Sequence, residues 1–372
     1  MLNLINIRHQ LHQIAEPSGE ETKTQAFILE ILKTLSPDAI HTFDNSRSIL
    51  AVYDSGKAGK TLLCRGDFDA VRVNECLDIP YRSCTSGVSH KCGHDGHTAI
   101  LLGLAEQLHL NPPHSGRILL FFQAAEETGE GAQELLDTHI LDTYFPNQIF
   151  ALHNIPGMPL GTILCRKDSF TCSVISCDIA LHGRTSHAAE PLKALSPYPA
   201  AKRITDKLLS FNQYDISRDD FFLLTLVEFR VGEPAYGVTA GEGVLRFTLR
   251  AKDDALLQER RKELIQICEM CAAHDGLTTE IGWREYFAAT KNHEDAVRRI
   301  QAAAEQCGLT YNHLPVPFSW GEDFGLLTQQ YEGALFGLGS GTEQSPLHHP
   351  DFDFPDELID TGVKIFYQLT TN

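Results

Sequence analysis

The stretch that most constrains this chain is His90-Lys91-Cys92-Gly93-His94-Asp95-Gly96-His97, followed by the apolar run from Thr98 to Leu108. A thiol, three imidazoles and a carboxylate share a glycine-bearing loop that leads into a helix. Thiolate and imidazole suit zinc and similar divalent ions, and Gly93 permits a tight loop. The helix N-terminus that follows favours the thiolate electrostatically. Standing alone, Cys92-Gly-His94 reads more readily as a buried cysteine with solvent-facing histidines. His90, Asp95 and His97 shift the reading towards a metal site, and such a site needs further ligands from elsewhere in the chain.

With 372 residues the chain is too long for one ordinary core, so two domains are expected. Leu4, Ile7, Leu11 and Ile14 repeat at helical spacing up to Pro17, and Phe27, Ile28, Ile31, Leu32 and Leu35 do so up to Pro37. Short apolar runs follow at Ser48–Tyr53, Thr61–Cys64, Arg117–Gln123 and Gln148–Leu152, alternating with helical segments. That order predicts an α/β domain with a mostly parallel sheet. Three of the runs lead directly to polar residues: the second to Asp67 and Asp69, the third to Glu126 and Glu127, the fourth to His153. In open α/β sheets, sites form beyond the carboxyl ends of strands, so this placement predicts convergence.

The middle of the chain changes character. A strand from Ser173 to Gly183, a helix from about Ser196-Pro197 to Leu209, strands at Phe221–Val231 and Gly243–Ala251, a helix at Ala255–Ala273 and a strand at Leu277–Tyr286 spell βαββαβ. This is the ferredoxin-like split unit. An α+β domain inserted at 173–284 is therefore expected, within a discontinuous α/β domain formed by 1–172 and 285–372. A helix near Ala296–Cys307 and a strand at Gly333–Leu338 belong to the latter.

Glu126 and Glu127 emerge from an apolar strand ahead of Gly129 and Gly131. On an extended backbone adjacent side chains point to opposite sides, so one carboxylate could ligate a metal while the other takes a proton from water. Taken alone, the pair fits a solvated acidic turn better. His153 and His348 could each be an ordinary loop residue. Asp67 and Asp69 could cap loops or orient ligand imidazoles.

The net charge of −18, with pI near 5.3, repels phosphate backbones and argues against a nucleic-acid partner. No stretch is long and apolar enough to span a bilayer. The N-terminal residues lack the basic-then-apolar layout of a secretion signal, and the ten scattered cysteines fit a reduced compartment, so a cytoplasmic location is expected. Cys268 and Cys271 form a CxxC within a helical pattern. No second pair accompanies them, and they read as small buried residues.

Seven motifs in order resemble the aminoacylase-type metallopeptidase family, in its branch of N-acyl amino acid amidohydrolases. Arg65-Gly-Asp-Phe-Asp-Ala70 resembles R-A-D-x-D-A, and His90 to His97 resembles H-x-C-G-H-D-x-H. Phe122-Gln-Ala-Ala-Glu-Glu127 resembles F-Q-P-A-E-E, and Ala151-Leu-His153 with Pro159 to Ile163 resembles the third ligand segment. His182-Gly-Arg-Thr-Ser-His187-Ala-Ala resembles the G-x-G-G-H-A-A of the family's lid. Gly321-Glu-Asp-Phe324 and Leu347-His348 resemble the closing motifs.

The resemblance implies a two-metal centre held by Cys92, His94, Glu127, His153 and His348, with Cys92 near both ions. Zinc suits the thiolate best, with manganese or cobalt as further options. It implies Glu126 as general base, Asp69 as the residue steadying a ligand, and His187 as a stabiliser of the oxyanion. It implies an inserted domain that acts as lid and homodimer contact, and a small-molecule N-acyl amino acid substrate. The alternatives are a dipeptidase or exopeptidase on the same scaffold, and a non-catalytic metal- or ligand-binding relative. Four departures stand out. Leu192 follows Pro191 where the family has histidine, and Gly237 falls where the branch has asparagine, although Thr248-Leu-Arg250 is kept. Ala124 replaces a proline, and Pro17-Ser-Gly replaces P-E-L.

Overall fold

The computed structural model describes residues 1–371. They divide into two compact units, one built from Met1–Phe170, Thr290–Pro315 and Glu322 onward, the other from Thr171–Ala289 and Val316–Gly321.

The first unit opens with α1 (Leu4–Gln13) and α2 (Thr22–Thr34), which bury Ile7, Leu11, Ile28 and Leu32. The Asn3 side chain caps α1 by accepting from the Asn6 N–H at 3.1 Å. Next come β1 (Ala39–Phe43), β2 (Ser46–Asp54), β3 (Thr61–Asp67), α3 (His94–Leu110) and β4 (Arg117–Gln123). They are followed by α4 (Gly131–Asp137), α5 (Ile140–Tyr144), β5 (Gln148–Ile155), β6 (Ile163–Cys165) and β7 (Asp168–Ser169).

The second unit follows the order β8 (Ser173–His182), α6 (Tyr198–Leu209), β9 (Phe222–Val231), β10 (Glu242–Ala251), α7 (Asp254–His274) and β11 (Thr278–Phe287). Its four strands form an antiparallel sheet in the order β11-β8-β10-β9, as a split βαββαβ unit requires. Alternate residues such as Ile179, Leu245 and Phe247 meet Ala200, Ile204, Leu208 and Leu264 in one core, which also takes in Cys268 and Cys271. Val316–Gly321 joins this unit because Cys172 donates to the Phe318 and Trp320 carbonyls at 3.0 and 3.2 Å.

The first unit resumes with β12 (Lys291–Asn292), α8 (Glu294–Gln306), β13 (Tyr311–His313), α9 (Phe324–Thr328), β14 (Gly333–Gly339) and α10 (Leu358–Thr371). Its eight-stranded sheet runs β1-β2-β4-β3-β5-β14-β6-β13. The central strands β4, β3, β5 and β14 are mutually parallel, and antiparallel pairs lie outside them. β3 and β14 are buried along their whole length, as expected of parallel strands covered on both faces. α3 is buried almost all round, which its unbroken apolar run requires. The register places Asp67 beside Gln123, and Gly337 beside His153, so the polar ends of neighbouring strands lie at one edge of the sheet.

Among the described residues no helix is long and apolar enough to cross a membrane.

Candidate metal centre

The loop before α3 turns on Gly93, whose φ is +94°. A Cβ at that position would lie 2.5 Å from the Asn154 Oδ1, so glycine is needed on two counts. This turn leaves Cys92 and His94 buried at the head of the helix. His94 Nδ1 meets Asp69 Oδ1 at 3.0 Å, which directs Nε2 away from Asp69. Asp69 is held in turn by the Ser18 hydroxyl at 2.7 Å and the Glu127 N–H at 2.9 Å. Asp67 takes His97 instead, with its Oδ1 2.6 Å from Nδ1.

The two glutamates differ from the extended-strand expectation. β4 ends at Gln123, Ala125 takes a left-handed φ of +53°, and the Gly129 N–H closes a turn on the Glu126 carbonyl at 2.8 Å. The turn, not strand alternation, separates the two side chains. Glu126 is buried beside Glu322 and Asp323, while Glu127 is half-buried and faces His94 and His348. His153 also differs slightly: it lies within β5, which runs on to Ile155, and it is buried. His348 has φ +63°, and its N–H donates to the Lys91 carbonyl at 2.7 Å, tying it to the cysteine loop.

These segments bring two donor triads together. Cys92, His94 and His153 form one, and Cys92, Glu127 and His348 form the other, with the donor atoms of each within 4.8 Å of one another. Cys92 belongs to both. Its sulfur is 3.5 Å from His153 Nε2, and Glu127 Oε1 is 3.2 Å from His348 Nε2 and 3.8 Å from His94 Nε2. His94, Glu126 and Glu127 make a further group with the same spacing, so the carboxyl of Glu126 adjoins the donors.

The chemistry of this donor set fits divalent cations. His94 Nε2 is buried with no hydrogen-bond partner among the described residues, an arrangement that suits a ligand nitrogen. Burial, then Glu127 and Glu126, push the Cys92 thiol well up. Burial disfavours charge on His94, but Asp67, Asp69 and Glu127 outweigh it and raise its pKa to about 10. Burial, then Glu322 and Glu127, push the Glu126 carboxyl well up. The buried carboxylates thus outnumber nearby cationic side chains, and only added positive charge favours a thiolate at Cys92 and an ionised Glu126 here.

Other predicted and unpredicted residues fall as follows. His90 is buried, and burial takes its pKa down to about 4; it lies outside the donor groups. His187 belongs to the second unit, where it is exposed, pairs with Val238, and accepts from the Ala189 N–H at 3.1 Å. Leu192 and Gly237 are exposed there too. Composition and spacing gave no role to Glu21, Asn154, Glu322 or Asp323. The Asn154 Oδ1 lies 2.6 Å from His97 Nε2, and Glu322 and Asp323 form a buried ion cluster with Arg65. The only sequence signal for the last two is the Gly321-Glu-Asp-Phe324 motif.

Residues 63–372 match the family described as Peptidase family M20/M25/M40. The chain is 30% identical over 370 residues to the amidohydrolase YhaA of Bacillus subtilis, covering 97% of this chain and 92% of that protein. It is 28% identical over 377 residues to the N-acetyldiaminopimelate deacetylase of Pediococcus pentosaceus, covering 100% of this chain and 97% of that protein. Among solved structures, the YXEP protein of Bacillus subtilis, described as a dinuclear metal binding peptidase from the M20 family, superposes with a TM-score of 0.83. The identity there is 25%, with 99% of this chain and 96% of that one covered.

Proposed function

The chain belongs to the M20/M25/M40 peptidase family and is a hydrolase of amides, and from that premise we propose that it deacylates N-acyl amino acids, releasing a carboxylate and a free amine. The observation that carries this reading is the pair of donor triads sharing Cys92 beside the buried Glu126. Cys92, His94, Glu127, His153 and His348 would hold two divalent ions, with zinc best suited to the thiolate and manganese or cobalt as alternatives. Bound there, the ions would polarise the scissile carbonyl and make water more acidic.

Glu126 takes the proton from the attacking water and later delivers it to the departing amine. Its burial keeps bulk water from competing for that proton. Asp69 fixes the ring of His94 through Nδ1 and the turn through the Glu127 N–H. His187, from the second unit, donates to the oxyanion, either within one chain or from the partner in a homodimer formed through the second unit. A reduced, cytoplasmic setting is one in which ten cysteines scattered through a large chain stay as thiols.

The test is a screen of N-acetyl, benzoyl, indoleacetyl and succinyl amino acids alongside free dipeptides, with metal analysis of the same sample. Turnover of acylated but not free-amine substrates is expected. Glu126→Gln is expected to lose about 10²–10⁴-fold in kcat while keeping its metal. Preference for free dipeptides makes the enzyme a dipeptidase instead. Full activity in Glu126→Gln removes the mechanism.

A further inference from the structure

The turn carrying Glu126 and Glu127 is held by its backbone from three distant segments. The Ala125 N–H donates to Glu21 Oε1, the Glu127 N–H to Asp69 Oδ2, and the Ala132 N–H to Asp323 Oδ2, each at 2.9 Å. Asp323 also accepts from Gln123 Nε2 at 2.7 and 2.8 Å. One carboxylate therefore grips the residue that ends β4 and a residue in the first turn of α4, on either side of the two glutamates. Arg65 braces this grip, donating to Gln123 Oε1 at 2.8 Å, Glu322 Oε1 at 2.7 Å and Asp323 Oδ1 at 3.2 Å. Glu21 and Asp323 are fully buried, so neither is a surface ion pair screened by solvent.

The grip has a physical purpose at Ala125. Its φ of +53° is a conformation that a residue with a Cβ adopts only against steric resistance. The hydrogen bond from its N–H to the buried Glu21 carboxyl offsets part of that resistance. If the turn relaxed, both glutamate side chains would swing, because the left-handed residue immediately precedes them.

We propose that Glu21 and Asp323 are positioning residues: without touching a reacting atom, they set the placement of Glu126 relative to the ion donors through the backbone of this turn. The inference rests on the reading of Glu126 as the base. A displacement of about 1 Å at such a group can cost 10²-fold in rate.

The test compares Glu21→Leu, Glu21→Gln and Asp323→Asn with the wild type as metal-loaded enzymes, measuring kcat, KM, metal content and amide exchange over residues 124–132. Glu21→Leu is expected to lose about 10–100-fold in kcat, with KM and metal content unchanged and faster exchange in the turn. Glu21→Gln, which keeps an acceptor, should stay within about threefold. Adding Ala125→Gly to Glu21→Leu should recover part of the loss, since glycine adopts the left-handed conformation without strain. Wild-type kcat and wild-type exchange in Glu21→Leu overturn the proposal, as does a loss of kcat that merely follows loss of metal. If Glu21→Leu does not fold, Asp323→Asn decides: a wild-type kcat and unaltered exchange there overturn it. A wild type inactive on every acylated substrate sinks the functional reading instead. The exchange measurement, which needs no substrate, still judges the positioning claim.

Discussion

His12 links the pH of the medium to the stability of the metal-site loop. It lies on the buried face of α1, with Nδ1 2.8 Å from Asp95 Oδ2 and Nε2 3.0 Å from Glu75 Oε1. Burial disfavours its charge, but the hydrogen bonds to Asp95 and Glu75 prevail and raise its pKa from 6.5 to about 9. The folded protein therefore holds a proton that the unfolded chain releases near pH 6.5. The stabilisation is complete below pH 6.5 and disappears as pH rises through about 9. The interval corresponds to about 3 kcal/mol. Asp95 adjoins His94 and accepts from the Gly96 N–H at 2.9 Å, so the effect is felt at the head of α3. Urea unfolding of wild type and His12→Gln, each saturated with metal, between pH 6 and 9.5 measures it. Metal-linked protons are common to both proteins and cancel in the difference. The stability gap between the two proteins should shrink by about 3 kcal/mol across that range. Parallel pH profiles would refute the argument.

Three other outcomes follow from the same geometry. Gly93→Ala should destabilise the fold by about 2 kcal/mol or more, from left-handed strain plus displacement of Asn154, and should weaken metal binding about 10–100-fold; urea midpoints and metal titration report both. Cys92→Ser should lower the metal content per chain, and thiol reagents or chelators should inactivate the wild type, with chelation also removing about 3–4 kcal/mol of stability when free metal had stood at 10²–10³ times Kd. Gly237→Asn meets open space, with nothing within 4 Å of its Cβ, so stability should change by less than about 0.5 kcal/mol while the ranking of kcat/KM across acylated substrates shifts.

The sequence was most legible where one periodicity ruled a segment. The strand at Arg117–Gln123 has the bounds its apolar run predicts, and α7 differs from the helix read at Ala255–Ala273 by one residue at each end. The five candidate donors were picked out by the resemblance of their motifs, since His153 or His348 alone reads as an ordinary loop residue, and the structure brings them within reach of one another. Backbone conformation was not legible. Nothing in Gln123-Ala-Ala-Glu-Glu127 announces a left-handed alanine, because the carboxyl that meets its N–H belongs to Glu21, a residue more than a hundred positions away. Buried ions on α1 were hidden for a related reason. Arg8 and His12 look like the solvent face of an amphipathic helix, yet both are fully buried, since Asp95, Glu75 and Asp353 supply the compensating charge. Short strands such as β6 and β13 have too few residues for any period to emerge.

Two of the departures from the family's motifs bear on this turn, Ala124 directly and Ser18 through Asp69, and both make hydrogen bonds. A proline has no N–H to give. Ala124, standing in its place, donates its N–H to the buried Ser48 hydroxyl at 3.0 Å. Ser18, within the segment that replaces the N-terminal signature, donates to Asp69 Oδ2, the same oxygen that accepts the Glu127 N–H. A rigid ring restricts a turn by narrowing the unfolded ensemble, whereas hydrogen bonds restrict it by contacts in the folded state. The second route makes the turn depend on residues from the N-terminal segment and from β2, so the placement of Glu126 is spread over contacts remote in sequence. Substitution of Ser18 or Ser48 by alanine should therefore be felt first at the glutamates and only weakly in global stability.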